Sequence, residues 1–248
     1  MTPEVEAAFD SVRAEYGARS IERVEQMIRP RGVTRSPFQQ KAKWIMPGIA
    51  QRPWHDPYEY AELRPIVEAL EARHAEIKAE YRAAWDARRA QFGNYEHYLV
   101  RSDDWKALYL FKNGAVVAEA AAEVPVTFGI MDRTAIRTGK LCPLLETHFS
   151  TILPHAAIPP HCDLWNFTIN LHFAIDIPDG CGIRVAKEER QWTEGKCLLF
   201  DYSFEHEAWN RSDHPRTCLL ADLWHPEVTI AERKALTALI TEIRSWLE

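Results

Sequence analysis

A mainly β fold with helical additions, built as a double-sheet jelly roll or cupin-like barrel, is the class that this 248-residue sequence predicts. Three observations carry it. From Phe149 onward, short β-type runs alternate with turn signals such as Pro178-Asp179-Gly180 and Glu194-Gly195. Helical patterns flank that region on both sides. Within it, Pro160-His161-Cys162-Asp163 is answered downstream by Ser203-Phe204-Glu205-His206-Glu207. The expected organisation is one domain: residues 1–98 as a helical N-terminal region packing on the barrel, 99–228 as the barrel core and 229–248 as a C-terminal helix.

The elements follow in order. Residues 3–28 read as one helix or two, because Val5, Phe9, Val12 and Tyr16 keep helical spacing, as do Ile21, Val24 and Ile28; Arg29-Pro30-Arg31-Gly32 stops them. Five prolines and glycines make Ser36 to Pro57 an ordered, irregular crossing segment. Residues 59–91 carry one long helical stripe through Leu63, Val67, Leu70, His74, Ile77, Tyr81 and Trp85. Ala107 to Phe111 is a short strand, and Asn113-Gly114 a hairpin turn leading to Ala115–Val117. Residues 126–146 form a helical interruption, and strands are expected at 149–153, 164–175, 182–185, 196–200 and 216–223. The last helix, about 229–247, packs Ile230, Leu236, Leu239, Ile243 and Leu247 on one side.

The net charge of −6 is spread along the chain, with no basic stripe that would suit a nucleic acid. Met1 to Gly17 holds five charged residues and no apolar run, so no signal peptide or membrane span is expected there. Cys142, Cys162, Cys181, Cys197 and Cys218 are scattered and odd in number, which fits reduced thiols in a cytoplasmic protein. The expected partner is a small-molecule or carrier-bound substrate; oligomeric state is left open.

If residues 160–171 run as a strand, His161 and Asp163 project from one face. His206, at the end of a later strand and turn, would complete two histidines and a carboxylate on one side of a metal, the arrangement of non-haem Fe(II) oxygenases. His148, His155 and His214 fall in loops and His225 just past a strand, so all four are read as surface or packing residues. His172, inside an apolar strand, needs a partner. Arg216 opens a strand ten residues after His206, where a guanidinium aimed into the barrel would hold a carboxylate at two points. Thr168, Asn170 and Trp165 are the candidates for substrate contact.

Trp192 to Asp201, Ser203 to Glu207, Arg216 and Asp222-Leu-Trp-His-Pro-Glu227, with Pro160-His161, Asn166, His172 and Gly182 to Val185, resemble the aspartyl/asparaginyl β-hydroxylase family over roughly residues 100–230. The resemblance implies a double-stranded β-helix and a 2-oxoglutarate- and O2-dependent Fe(II) oxygenase that hydroxylates an unactivated C–H, releasing succinate and CO2. It implies iron on His161 and His206, and 2-oxoglutarate held by Arg216, Ser150 and His172. Two departures stand out. Animal aspartyl hydroxylases hold glycine where this chain has Asp163, and carry arginines in the strand that here reads Phe167-Thr168-Ile169-Asn170. A full triad is therefore expected, and an aspartyl side chain is a poor substrate. A cupin-type metal isomerase or lyase, or a non-catalytic metal- and 2-oxoglutarate-binding module, are the alternatives.

Overall fold

A computed structural model of the chain describes residues 1–29, 34–88, 92–94, 103–142 and 146–245. Helix α1 (Pro3–Tyr16) starts where Thr2 Oγ1 accepts the Val5 N–H and Pro3 fixes the first turn. It ends at Gly17, whose φ of 104° lets the backbone leave the helix. With α2 (Glu22–Ile28) and the C-terminal α7 (Ile230–Ser245) it forms a helical cluster, closed by Phe9, Val24, Leu236 and Ile240 and tied by Arg23 to Glu232 at 2.6 Å. Ile230, expected to pack, is 64% exposed; Ile240 takes the buried position instead.

The stripe at 59–91 is two helices rather than one, α3 (Arg64–Ala72) and α4 (His74–Arg88). Pro65 is tolerated only in a first turn, so α3 cannot begin much earlier, and the chain leaves helical geometry at Arg73 (ψ 19°). Both cover the outer face of a large sheet. The stop at Pro30–Gly32, residues 89–91, the boundary at 98/99 and Leu247 lie outside the described residues.

Among the described residues twelve strands form two antiparallel sheets. The strands are β1 (Trp54–His55), β2 (Gly93–Asn94), β3 (Trp105–Lys112), β4 (Ala115–Val116), β5 (Thr147–Ile152), β6 (Ala157–His161), β7 (Thr168–Asp176), β8 (Cys181–Val185), β9 (Glu188–Arg190), β10 (Cys197–Phe200), β11 (His206–Asn210) and β12 (Arg216–Trp224). The large sheet runs β1-β10-β7-β12-β5-β3-β2 with β4 on β3, and the small sheet β6-β11-β8-β9. From β5 to β12 the chain crosses repeatedly between the sheets, which makes the fold a double-stranded β-helix of the jelly-roll type. The Asn113-Gly114 hairpin turn has positive φ at both residues, 52° and 80°.

Four expectations are corrected. The helical interruption begins earlier, with α5 (Ala118–Glu123) and α6 (Pro125–Met131), and continues as a π-turn over Asp132–Ile136. The strand expected across 160–175 is two strands, because β6 ends at His161 and β7 starts at Thr168. Pro159 and Pro160 lie inside β6 rather than before it; β6 is an edge strand, where a missing ladder donor does little harm. Strand β11 was not anticipated, since His206 was placed at a strand end rather than at its start.

Burial along β7 explains how one strand serves two faces. Ile169, Leu171, Phe173 and Ile175 pack outward against α3 and α4 with Leu63, Leu70, Ile77 and Tyr81, while Thr168, Asn170 and His172 turn inward. In the small sheet, Gly182 lies opposite Trp209, and a Cβ there would sit 2.4 Å from the indole. Gly182→Ala should therefore cost about 1–3 kcal/mol through overpacking, read as a lower urea midpoint; an unchanged midpoint would mean that the indole moves away freely.

Candidate metal centre and its cavity

His161 on β6 and His206 on β11 are directly opposed across the small sheet, with ring centroids 4.1 Å apart. Each ring is oriented by the same local device. His161 Nδ1 lies 2.8 Å from the Pro159 carbonyl and His206 Nδ1 2.9 Å from the Phe204 carbonyl. A carbonyl accepts only, so both Nδ1 atoms carry the proton and each Nε2 is the lone-pair nitrogen, the form in which an imidazole ligates a metal. The Nε2 atoms lie 4.0 and 3.5 Å from Asp163 Oδ2, and one ligand atom from each of the three residues lies within 4.8 Å of the others. Among the described residues this is the sole group of three or more His, Cys, Asp or Glu side chains placed to hold a metal.

Asp163 reaches the histidines from the loop after β6, held by its N–H to the Tyr202 carbonyl at 2.9 Å. The alternation expected along a strand at 160–171 is therefore not what unites it with His161. Its side chain keeps 30% of its surface open, yet burial, helped by the charges of Asp222 and Glu146, pushes its pKa up to about 8. Burial likewise lowers the pKa of His161, against the raising effect of the Pro159 carbonyl. A neutral imidazole beside a carboxyl that dislikes its own charge is a site that a divalent cation would relieve.

The turn that delivers His206 is anchored by Asp201, whose Oδ1 accepts the Ser203 N–H at 2.9 Å and hydroxyl at 2.6 Å, with Gln39 donating to Ser203 Oγ at 2.8 Å. Burial raises the Asp201 pKa from 3.8 to about 7, despite the bonds from Ser203. A carboxyl with a raised folded pKa contributes stability below the unfolded value and loses it as pH climbs through the folded one. Asp201→Asn should therefore gain stability relative to the parent chain as pH rises from about 4 to about 7, the range spanned by those values. Parallel stability curves in urea titrations would contradict this.

The three side chains open on a cavity of about 290 Å³ between the sheets, lined also by Trp105, Glu146, His148, Ser150, Trp165, Asn170, His172, Arg216 and Asp222. Arg216 is 1% exposed and stacks on Trp192, 3.7 Å from the ring centroid, yet its Nε has no hydrogen-bond partner. Burial lowers its pKa, and only the neighbouring cysteines act against that fall. Two further donors lie on the same wall. Trp105 Nε1 donates to Ser150 Oγ at 2.8 Å, which leaves the Ser150 hydroxyl proton to point elsewhere. Trp192 Nε1 donates to His172 Nδ1 at 3.3 Å, so His172 carries its proton on Nε2, and burial and Arg216 hold its pKa well below the ordinary value. Two donors and a buried cation that has no ion pair among the described residues make a pocket suited to an anion.

Thr168 does not line the cavity, because its hydroxyl is committed to Trp165 Nε1 at 2.9 Å and Tyr202 at 2.6 Å. Asn170 and Trp165 do line it. His148, placed in a loop from sequence, is 3% exposed on β5 and faces the cavity. Counting back in twos from Ser150 would have found it and Glu146. His155 is at the surface, paired with Asp213 at 2.9 Å, and His225 is fully buried.

A jelly roll with two histidines and one carboxylate converging on its inner face has the geometry of the two-His, one-carboxylate class. The family model for aspartyl/asparaginyl β-hydroxylases matches residues 71–226, and the chain belongs to that family. The match starts further upstream than the roughly 100–230 read from motifs. The mouse aspartyl/asparaginyl β-hydroxylase is 32% identical over 203 residues, which cover 81% of this chain and 27% of that protein. Human aspartate β-hydroxylase domain-containing protein 2 is 29% identical over 238 residues, covering 89% of this chain and 61% of that one. The chain thus spans about a quarter of the first and less than two thirds of the second. A crystal structure of a 2OG-Fe(II) oxygenase family oxidoreductase from Burkholderia pseudomallei aligns at 13% identity with a TM-score of 0.40, over 74% of this chain and 99% of that one.

Removing either imidazole should abolish the site. His161→Ala and His206→Ala are expected to weaken Fe(II) binding beyond the roughly 10–100-fold typical of losing an outer-shell hydrogen bond, read anaerobically by calorimetry. Parent-like affinity in either variant would remove that histidine from the ligand set.

Proposed function

We propose that the protein is an Fe(II)- and 2-oxoglutarate-dependent dioxygenase that hydroxylates an unactivated C–H of an amino-acid-derived or secondary-metabolite substrate. The observation that carries this beyond a generic metal site is Arg216. A cupin-type isomerase or lyase has no use for a buried guanidinium without a counter-ion beside the metal, whereas a dicarboxylate cosubstrate supplies that counter-ion. The residues fit both groups: His161, Asp163 and His206 would hold iron, and Arg216, Ser150 and His172 present N–H and O–H donors to the far carboxylate of 2-oxoglutarate.

Iron bound there would supply the activation of dioxygen, one oxygen atom going to succinate as 2-oxoglutarate loses CO2 and the other entering the substrate C–H bond. The chain's own contributions are separate. Pro159 and Phe204 carbonyls fix the ligand nitrogens before any metal arrives. Trp192 carries the Arg216 guanidinium on its ring face and holds the His172 ring from its Nε1 edge, so the cosubstrate would meet a preformed surface. Phe200, Ile158, Ile183 and Leu220 line the space around the site with apolar side chains that exclude water. No described helix is long and apolar enough to cross a membrane. A cytoplasmic setting remains the proposal made from the cysteines, all five of which are free and buried.

The test is Arg216→Met. Removing an uncompensated buried cation should leave the ligand-free protein at least as stable as its parent. It should also erase the rise in melting temperature that 2-oxoglutarate produces by binding only the native state, together with substrate-dependent succinate formation. Retained stabilisation by 2-oxoglutarate in this variant would overturn the assignment of Arg216.

A further inference from the structure

The end of the cavity away from Arg216 has the opposite character. Arg216 and Asp222 share one face of β12, six residues apart, a separation of about 20 Å along a strand. Around Asp222 the lining holds a second acid, Glu146, whose N–H donates to Asp222 Oδ2 at 3.2 Å, with His148 3.9 Å from the Glu146 carboxylate and Asn170 as the cross-strand partner of Asp222. Asn170 Nδ2 donates to Asp222 Oδ1 at 2.7 Å, which fixes the amide orientation. The consequence is that Asn170 Oδ1, on a residue 7% exposed, is buried at the cavity wall with no donor. A buried acceptor left without a donor is costly and points to a missing N–H or O–H.

We infer that this end of the cavity is the substrate subsite and that it takes a protonated amine, bound by Asn170 Oδ1 and the Asp222 and Glu146 carboxylates. The inference rests on the oxygenase assignment for the word substrate, but not for the amine. An ammonium has three donors and no acceptor, and so matches one amide oxygen flanked by two carboxylates. Both carboxylates have contacts within the protein, and each carboxylate oxygen can accept more than one hydrogen bond. A second metal is not favoured, because Glu146 and Asp222 belong to no described group of three or more His, Cys, Asp or Glu side chains placed to hold an ion. Leu164, Trp165, Ile240 and Ile243 also line the cavity, so the body carried by the amine is apolar. The two charged ends then sort the two ligands: the dicarboxylate goes to Arg216 and is repelled from Asp222, and the amine does the reverse.

The test uses a set of equal-sized probes, isopentylamine, isopentylguanidine, isopentanol and isovalerate, titrated into protein loaded anaerobically with Fe(II) and 2-oxoglutarate. Binding is read by tryptophan fluorescence, and 2-oxoglutarate loading separately by the visible absorption of the metal complex. The amine should bind at least tenfold more tightly than the other three. The Glu146→Gln/Asp222→Asn double variant should reduce it to the affinity of the alcohol while still loading 2-oxoglutarate, which also checks that the variant is folded. Equal or tighter binding of isovalerate, isopentanol or isopentylguanidine, or amine affinity unchanged in the double variant, overturns the inference. Failure of iron and 2-oxoglutarate to load would instead sink the oxygenase assignment, and the fluorescence titration of the amine would still be decided in metal-free protein.

Discussion

Everything at the centre depends on the register of β6 against β11, which sets His161 directly opposite His206. Side chains alternate faces along a strand, so a slip of one residue would send one imidazole outward and dismantle the site. The register is secured from both ends of β11. At one end the Asp201–Ser203–Gln39 network shapes the turn into His206. At the other, the buried Asn210 donates from Nδ2 to the Ile152, Leu153 and His214 carbonyls and accepts the Ser212 N–H, locking the turn that leads to Arg216. His206 and Arg216 are thus placed by the two ends of a single five-residue strand.

That economy has an electrostatic counterpart. The large sheet is buried on both faces, and a charge on its inner face must find a partner or wait for one. On β12 the chain places a cation at the start and an acid near the end of the same face. Folding alone cannot pair them, since they are several residues apart on a rigid strand. The cavity is therefore left polarised, with unmatched donors by Arg216 and an unmatched acceptor at Asn170, and ligands of opposite charge complete it.

Much of this was legible in the residues. The jelly roll followed from short runs punctuated by turns, and the strand faces from period-two burial, as at His172. Arg216 stood out because a strand that opens ten residues after His206 could aim its guanidinium into the barrel, where it would hold a carboxylate at two points. What failed to show was mostly long-range. The break at Arg73 has no proline or glycine to mark it; β11 is a strand because β6 and β8 flank it, not by its own composition, and His206-Glu-Ala-Trp-Asn210 would suit a turn equally well. His148 and Glu146 were missed because the strand was started two residues late, at Phe149 rather than Thr147. The acceptor end of the cavity arises only when Asn170 and Asp222, far apart in sequence, become cross-strand neighbours.

Asp163 lies beside His161 and His206, but not by the strand alternation expected of it. Strand alternation would have made it a structural position, its neighbours bound into a ladder and its side chain fixed by the pleat. It lies instead in a loop tethered by one backbone bond to Tyr202 and contributes nothing to the hydrophobic core. The two histidines are different: each belongs to a strand whose pairing holds the small sheet together. A ligand on a loop can be exchanged without disturbing the fold, whereas a ligand on a paired strand cannot. The carboxylate is on those grounds the separable part of this candidate metal site, and the part by which chains with one barrel could differ in how tightly they would hold a metal.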